Sequence, residues 1–240
     1  MSPTPSPTLR RPARGLPEIV ALTHIEHGER GEDRLAADSR RGRYALCDGA
    51  SEGWDSGAFA AALAGALLRH GATEAAVTEA RDDFGGRAIG VGDWLADRAR
   101  SRGSFSTALL VEVLPGGRLL RASAIGDTTL FVLDGFRTVT TWPIDSAEGY
   151  GNTPDLVGDA GTATPAFSRR SFSLGRLRRP SFALVTDALA ARLLSATEGE
   201  APELWRFFAR ASEEAFQAWA ADGMADRSLG RDDLSLLWVR

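Results

Sequence analysis

The chain has 240 residues, 43% of them apolar, and a formal charge of −4, which suits one soluble domain with a sizeable core. All 28 basic residues are arginine, so a Walker A loop and Schiff-base chemistry, both of which need lysine, are excluded. With a pI near 5.5 there is no basic field for a phosphate backbone, and nucleic acid is not an expected partner.

Residues 1–16, rich in Pro, Ser, Thr and Arg, read as a disordered tail that cannot form a packed element, leaving residues 17–240 as the single domain. The N-terminal stretch reads as having no apolar signal core, and no stretch approaches the roughly 20 apolar residues that span a bilayer. No membrane association is expected, and a cytoplasmic location is. Glu18 to Thr23 reads as a first strand, followed by a charged loop and a strand pair at Arg34 to Asp38 and Arg43 to Cys47. Cys47, the sole cysteine, excludes an internal disulfide and a thiolate metal site, and reads as a small buried residue.

Asp55 to His70 has helical apolar spacing, with Asp55 placed to cap it and Gly71 to end it. Further helices are expected at Thr73 to Arg81 and near Val91 to Arg102, with Asp82-Asp83 as a solvated loop. Phe105 to Leu114, Arg118 to Ile125 and Thr129 to Leu133 alternate as strands of an antiparallel meander. Trp142 to Thr164, rich in Gly, Pro, Asp and Thr, reads as a flap over a site. Strands follow at Ala166 to Leu174 and Phe182 to Thr186, then a short helix at Ala188 to Leu194. One long amphipathic helix, Pro202 to Ala221, and a strand at Leu234 to Val239 close the chain. Grouped strands without strict strand and helix alternation favour α+β over a doubly wound fold.

Asp48, Asp127, Asp187 and Asp232 each sit where a short apolar run ends or begins. Carboxylates gathered at one rim of a sheet raise each other's pKa unless a cation compensates. An all-oxygen cluster suits a hard divalent ion, Mg²⁺ or Mn²⁺, rather than zinc. The plain alternative is a set of turn formers and helix caps, the reading given to Asp134-Gly135 and Asp222-Gly223.

Glu32-Asp33, Asp48-Gly49, Ser106-Thr107-Ala108, Gly126-Asp127-Thr128, Thr186-Asp187-Ala188 and Asp232-Asp233 occur in an order that resembles the metal-dependent (PPM, type 2C) serine/threonine protein phosphatases, in a divergent bacterial form. The resemblance implies a four-layer αββα sandwich, two antiparallel sheets flanked by helix pairs. It also implies a site for two Mn²⁺ or Mg²⁺ ions. In it Asp48 bridges both ions, the Gly49 carbonyl contacts one, Asp187 and Asp232 complete the other, and Asp127 matches the position of a third. Glu32, with Asp33 beside it, acts through metal-held water. The implied reaction is attack of a water bridging the two ions on phosphoserine or phosphothreonine monoesters of a protein substrate.

Gly28 stands where the family often has its phosphate-holding arginine, leaving Arg30 and Arg34 as substitutes. Ala188 replaces the glycine of Ser-Asp-Gly, and Ala50-Ser51-Glu52-Gly53 lacks the Gly-Gly and histidine some members use. These departures keep open a catalytically silent domain of the same fold that binds a phosphorylated ligand.

Two rival motifs fall short. Gly49-Ala50-Ser51-Glu52-Gly53 fits a nucleophile elbow, but no histidine follows it except His70, at the end of the next helix, so a triad acyl hydrolase lacks its base. His24-x-x-His27 has no third nitrogen or sulfur ligand and reads as a loop feature. Trp205, Trp219 and Trp238 read as core, and Trp54 as a wall of the substrate groove.

Overall fold

The computed structural model describes residues 17–26, 31–87, 102–151, 153–161 and 166–240. The tail expectation for residues 1–16 and all but the last residue of the Val91 to Arg102 helix lie outside these. Among the described residues the strands in chain order are β1 (Ile19–His24), β2 (Arg34–Asp38), β3 (Arg43–Cys47), β4 (Phe105–Ser106), β5 (Ala108–Val113), β6 (Leu119–Ile125), β7 (Thr129–Asp134), β8 (Arg137–Trp142), β9 (Val157–Gly158), β10 (Ser168–Ser173), β11 (Pro180–Val185) and β12 (Leu234–Val239). The helices are α1 (Ser56–His70), α2 (Glu74–Arg87), α3 (Asp187–Ser195), α4 (Glu200–Phe208) and α5 (Glu213–Ala225), with a 3₁₀ turn at Ala147–Gly149.

Two five-stranded sheets form, in orders β1-β12-β11-β7-β8 and β10-β6-β5-β3-β2, with β4 and β9 as a small separate pair. Every pairing is antiparallel. The central strands bury both faces, which explains why they read as apolar runs. In β3, Tyr44 and Leu46 enter the core between the sheets, while Ala45 and Cys47 pack under α1 and α2. In β11, Phe182 and Leu184 face the other sheet, and Ala183 and Val185 face α3, α4 and α5. The chain thus forms the expected four-layer α+β sandwich, with one core between the sheets and one beneath each helical layer.

The outer core under α4 and α5 is aromatic. Trp205 meets Trp238 at 5.1 Å and Phe208 at 5.9 Å between ring centroids, and Phe208 meets Trp219 at 5.2 Å, all edge-on. That geometry adds about 0.5–1.5 kcal/mol per pair to simple burial. Trp205 and Trp238 are fully buried, as the sequence indicated. Cys47 is also fully buried.

Several expectations are corrected. The meander does not exist as one sheet, because β6 pairs with β5 and β10, whereas β7 pairs with β8 and β11. The Gly126-Asp127-Thr128 turn therefore crosses from one sheet to the other. The Phe105 to Leu114 strand breaks at Thr107, and Arg137–Trp142, to which the sequence reading assigned no element before the flap begins at Trp142, is a strand. The single C-terminal helix is two, since Ser212 starts α5 by accepting the N–H of Ala215 at 3.2 Å. Asp55 precedes α1 without a side-chain cap bond. Asp82 and Asp83 are exposed positions on α2, and Asp222-Gly223 lies within α5. Among the described residues no helix is long and apolar enough to cross a membrane.

Candidate active site

The antiparallel pairings bring the acidic positions to one rim. The C-terminal end of β11 lies beside the start of β12 and the start of β7, through Val185↔Leu236 and Val185↔Thr129. In the other sheet the end of β3 lies beside the starts of β2 and β5. Residues that follow β3, β6 and β11, or precede β2 and β12, therefore meet at the same end of the sandwich. Asp48, Gly49, Asp127, Asp187 and Asp232 line one pocket of about 890 Å³ there. Its outer wall includes Phe105, Pro154 and Leu156, so part of the expected flap does border the site.

Asp48 is held by its backbone. Its carbonyl accepts from Thr107 N at 2.8 Å and Ser106 Oγ at 2.9 Å, and its N–H donates to Thr107 Oγ1 at 3.1 Å. This is the structural use of Ser106-Thr107-Ala108. Gly49 runs so close to α1 that a Cβ would lie 2.9 Å from the Ser56 carbonyl carbon. Asp127 is 7% exposed and sits on the crossover after Gly126. There φ is +90° and a Cβ would meet Asp155 O and Thr107 Cγ2, both at 2.8 Å, so only glycine fits. Asp187 is the first residue of α3, and its Oδ1 accepts the Ala188 N–H at 2.5 Å.

The acidic pairs divide their work. Asp232 lines the pocket. Asp233 instead accepts the N–H groups of Glu26 at 2.8 Å and Glu32 at 2.6 Å, pinning both sides of the loop before β2. Glu32 accepts the hydroxyl of Ser51, a lining residue, at 2.5 Å, so its carboxylate lies behind the pocket's lining; neither Glu32 nor Asp33 is itself among the lining residues. Asp33 is part-buried as a residue, yet both its carboxylate oxygens are shut off from solvent and without a partner of normal geometry.

The electrostatics are those of like charges crowded in a dry place. Burial, then Asp233 and Asp187, push the Asp33 carboxyl up to about 7 against relief from the Ser235 hydroxyl and Asp48. Burial, Asp33, Asp187 and Asp232 push Asp48 well above the usual carboxylate range. Burial, Asp232 and Asp127 push Asp187 up to about 6, and burial with Asp232 raises Asp127. Such carboxyls ionise readily only beside a cation.

The donor set fits a hard divalent ion: carboxylates and a backbone carbonyl, with no thiolate or imidazole among the described residues that line the pocket. As they stand, among the described residues no three acidic, histidine or cysteine side chains converge on a single point. An ion held here would therefore complete its shell with water, as Mg²⁺ commonly does.

Other sequence-designated residues fall elsewhere. Arg30, His27 and Gly28 lie outside the described residues. Arg34 donates to the carbonyls of Asp33 at 2.7 Å and Gly31 at 3.1 Å, and it is not among the residues lining the pocket. Its guanidinium holds the loop that carries Glu32 and Asp33. Trp54 packs on Phe84 at 5.8 Å under the helical layer, not in the groove. His24 ends β1 with its Nε2 3.9 Å from the Glu26 carboxylate. The sequence reading missed Arg102, which lines the pocket and belongs to no motif that would have pointed to it.

No protein-family model matches the sequence, and no curated protein matches it. Solved structures do. The Mycobacterium tuberculosis serine/threonine phosphatase PstP/Ppp superposes with a TM-score of 0.59 at 15% identity, over 93% of this chain and 98% of that one. PppA, described as a key regulatory component of T6SS in Pseudomonas aeruginosa, gives 0.59 at 17% identity, over 94% and 98%. The PstP catalytic domain in complex with two manganese ions gives 0.56 at 15% identity, over 93% and 97%. The chain has the fold of the PPM-type, type 2C-like, serine/threonine phosphatases.

Proposed function

We propose that the protein is a metal-dependent phosphatase acting on phosphoserine or phosphothreonine monoesters of a protein substrate. The observation that supports this most is the convergence of Asp48, Gly49, Asp127, Asp187 and Asp232 on one pocket, whose described lining also carries Glu52 and holds Arg102 as its single basic residue. In this reading Asp48, the Gly49 carbonyl, Asp187 and Asp232 hold two Mn²⁺ or Mg²⁺ ions, and Asp127 holds a third. When bound, the ions supply Lewis-acid activation of water and neutralise charge at the phosphoryl group.

The chain's own residues then have separate tasks. Glu32, held by Ser51, accepts hydrogen bonds from water that reaches it beside that serine. Asp33, buried beside Asp48, adds negative charge behind it and strengthens the site's demand for cations. Asp233 and Arg34 fix the loop that bears Glu32 and Asp33. The pocket's mouth, walled by Phe105, Pro154 and Leu156, admits a phosphorylated side chain.

The test is Mn²⁺-dependent hydrolysis of p-nitrophenyl phosphate. Turnover is expected, abolished by EDTA and by Asp48→Asn or Asp232→Asn. Turnover that survives both substitutions would remove the mechanism. A catalytically silent domain that binds a phosphorylated segment is the second reading, favoured by the lack of three converging ligands among the described residues. No turnover together with tight phosphopeptide binding would select it.

A further inference from the structure

We propose that Arg102 is the side chain that grips the phosphoryl group of the ligand in this pocket. The inference rests on the phosphatase reading only for where that group sits. A phosphomonoester is close to a dianion at neutral pH, and the pocket's described lining carries Asp48, Glu52, Asp127, Asp187 and Asp232 against one basic residue, Arg102. An anion that enters from solvent needs a positive group on the open side as well as any cation on the floor.

Arg102 is exposed, and it enters no ion pair among the described residues. Other arginines are engaged: Arg43 and Arg121 with Glu112, Arg69 with Glu79, Arg192 with Glu200 and Arg206 with Glu203. A guanidinium left facing a pocket presents a planar fork that matches two phosphate oxygens at once.

The backbone that carries Arg102 is anchored to the acidic loop itself. Trp54 N donates to Gly103 O at 2.8 Å and Ala50 N to Phe105 O at 2.9 Å, so both ends of the Ala50 to Trp54 loop are pinned to residues 103–105. Ser104 is tied from the other side, its N–H donating to Asp159 Oδ1 at 3.0 Å while Asp159 N donates to Ser104 O at 2.9 Å. Arg102 therefore projects from a segment whose position relative to Asp48-Gly49 is set by hydrogen bonds. A side chain fixed at its root loses less entropy on gripping a ligand.

The experiment is a calorimetric titration of inorganic phosphate into the full chain with Mn²⁺ present, for the wild type, Arg102→Ala, Arg102→Lys and the control Arg206→Ala. Phosphate is expected to bind the wild type and Arg206→Ala alike. Arg102→Ala should bind it roughly tenfold to a hundredfold more weakly, the loss of a charge-assisted pair, with Arg102→Lys between. Mn²⁺ uptake should be the same in Arg102→Ala as in the wild type. The proposal is overturned if the wild type takes up no phosphate, if Arg102→Ala binds it as tightly as the wild type, or if Arg206→Ala loses as much. Turnover of p-nitrophenyl phosphate by the wild type separates the two claims. Turnover with unchanged phosphate binding in Arg102→Ala sinks the Arg102 assignment and leaves the phosphatase reading standing. Weakened phosphate binding in Arg102→Ala without wild-type turnover supports the assignment and removes the phosphatase reading.

Discussion

Replacing Asp187 with asparagine should stabilise the metal-free protein, although it removes a residue proposed to bind metal. The Asp187 carboxyl is raised from 3.8 to about 6, first by burial and then by Asp232 and Asp127. At about 1.4 kcal/mol per pKa unit, holding it ionised at pH 8 costs at most about 3 kcal/mol. Screening at a partly buried group brings the expected gain from Asp187→Asn to about 1–3 kcal/mol. The asparagine oxygen retains the bond from Ala188 N, now 2.5 Å long, so little structure is lost. For a chain of this size the melting temperature should rise by roughly 3–10 °C.

The pH dependence carries the sign. A carboxyl whose pKa is higher folded than unfolded contributes stability that is fully present below about 3.8 and is lost as pH rises through about 6. The advantage of Asp187→Asn should therefore be seen at pH 8 in EDTA and vanish near pH 4. Mn²⁺ should reverse the order at pH 8 by stabilising the wild type more than the variant. Thermal melts of both proteins, with EDTA and with Mn²⁺, read this directly. A variant that is neutral or less stable at pH 8 in EDTA would refute the electrostatic reasoning.

Gly126→Ala should destabilise the fold by about 1–3 kcal/mol and lower any turnover, because its φ of +90° and the 2.8 Å approach of Asp155 O leave no space for a Cβ; urea denaturation measures the first effect. Cys47, fully buried and with its thiol pushed up by burial and by Asp48, should resist a disulfide reagent in the folded protein and react at once in urea. Rapid labelling of the native chain would show that β3 is not packed under α1.

Much of the fold was legible because its central strands bury both faces. Arg43 to Cys47 and Leu234 to Val239 read as strands for that reason and are found at those bounds. The acidic rim was legible because each aspartate punctuates such a run. The break between α4 and α5 was hidden, since Phe208 and Phe216 enter the same core and apolar periodicity continues across residues 209–212. The division of β6 and β7 between two sheets was hidden too. A glycine turn between two alternating strands looks the same whether it makes a hairpin or a crossover, and only tertiary pairing decides it. The burial of the Asp33 carboxylate beside Asp48 left no local signal, because a second acid next to Glu32 reads as surface charge. Arg102 escaped notice because pockets gather residues distant in sequence. Its link to Asp48 runs through hydrogen bonds between loops rather than through any motif.

The central claim is that the carboxylates at the rim bind divalent ions. Calorimetric titration of Mn²⁺ into the full chain at pH 7.5 tests it most directly. The account predicts saturable uptake of two ions, with a third held more weakly at Asp127, strongly reduced by Asp48→Asn and competed by Mg²⁺. A titration with no heat beyond dilution, or uptake that Asp48→Asn leaves unchanged, would contradict it.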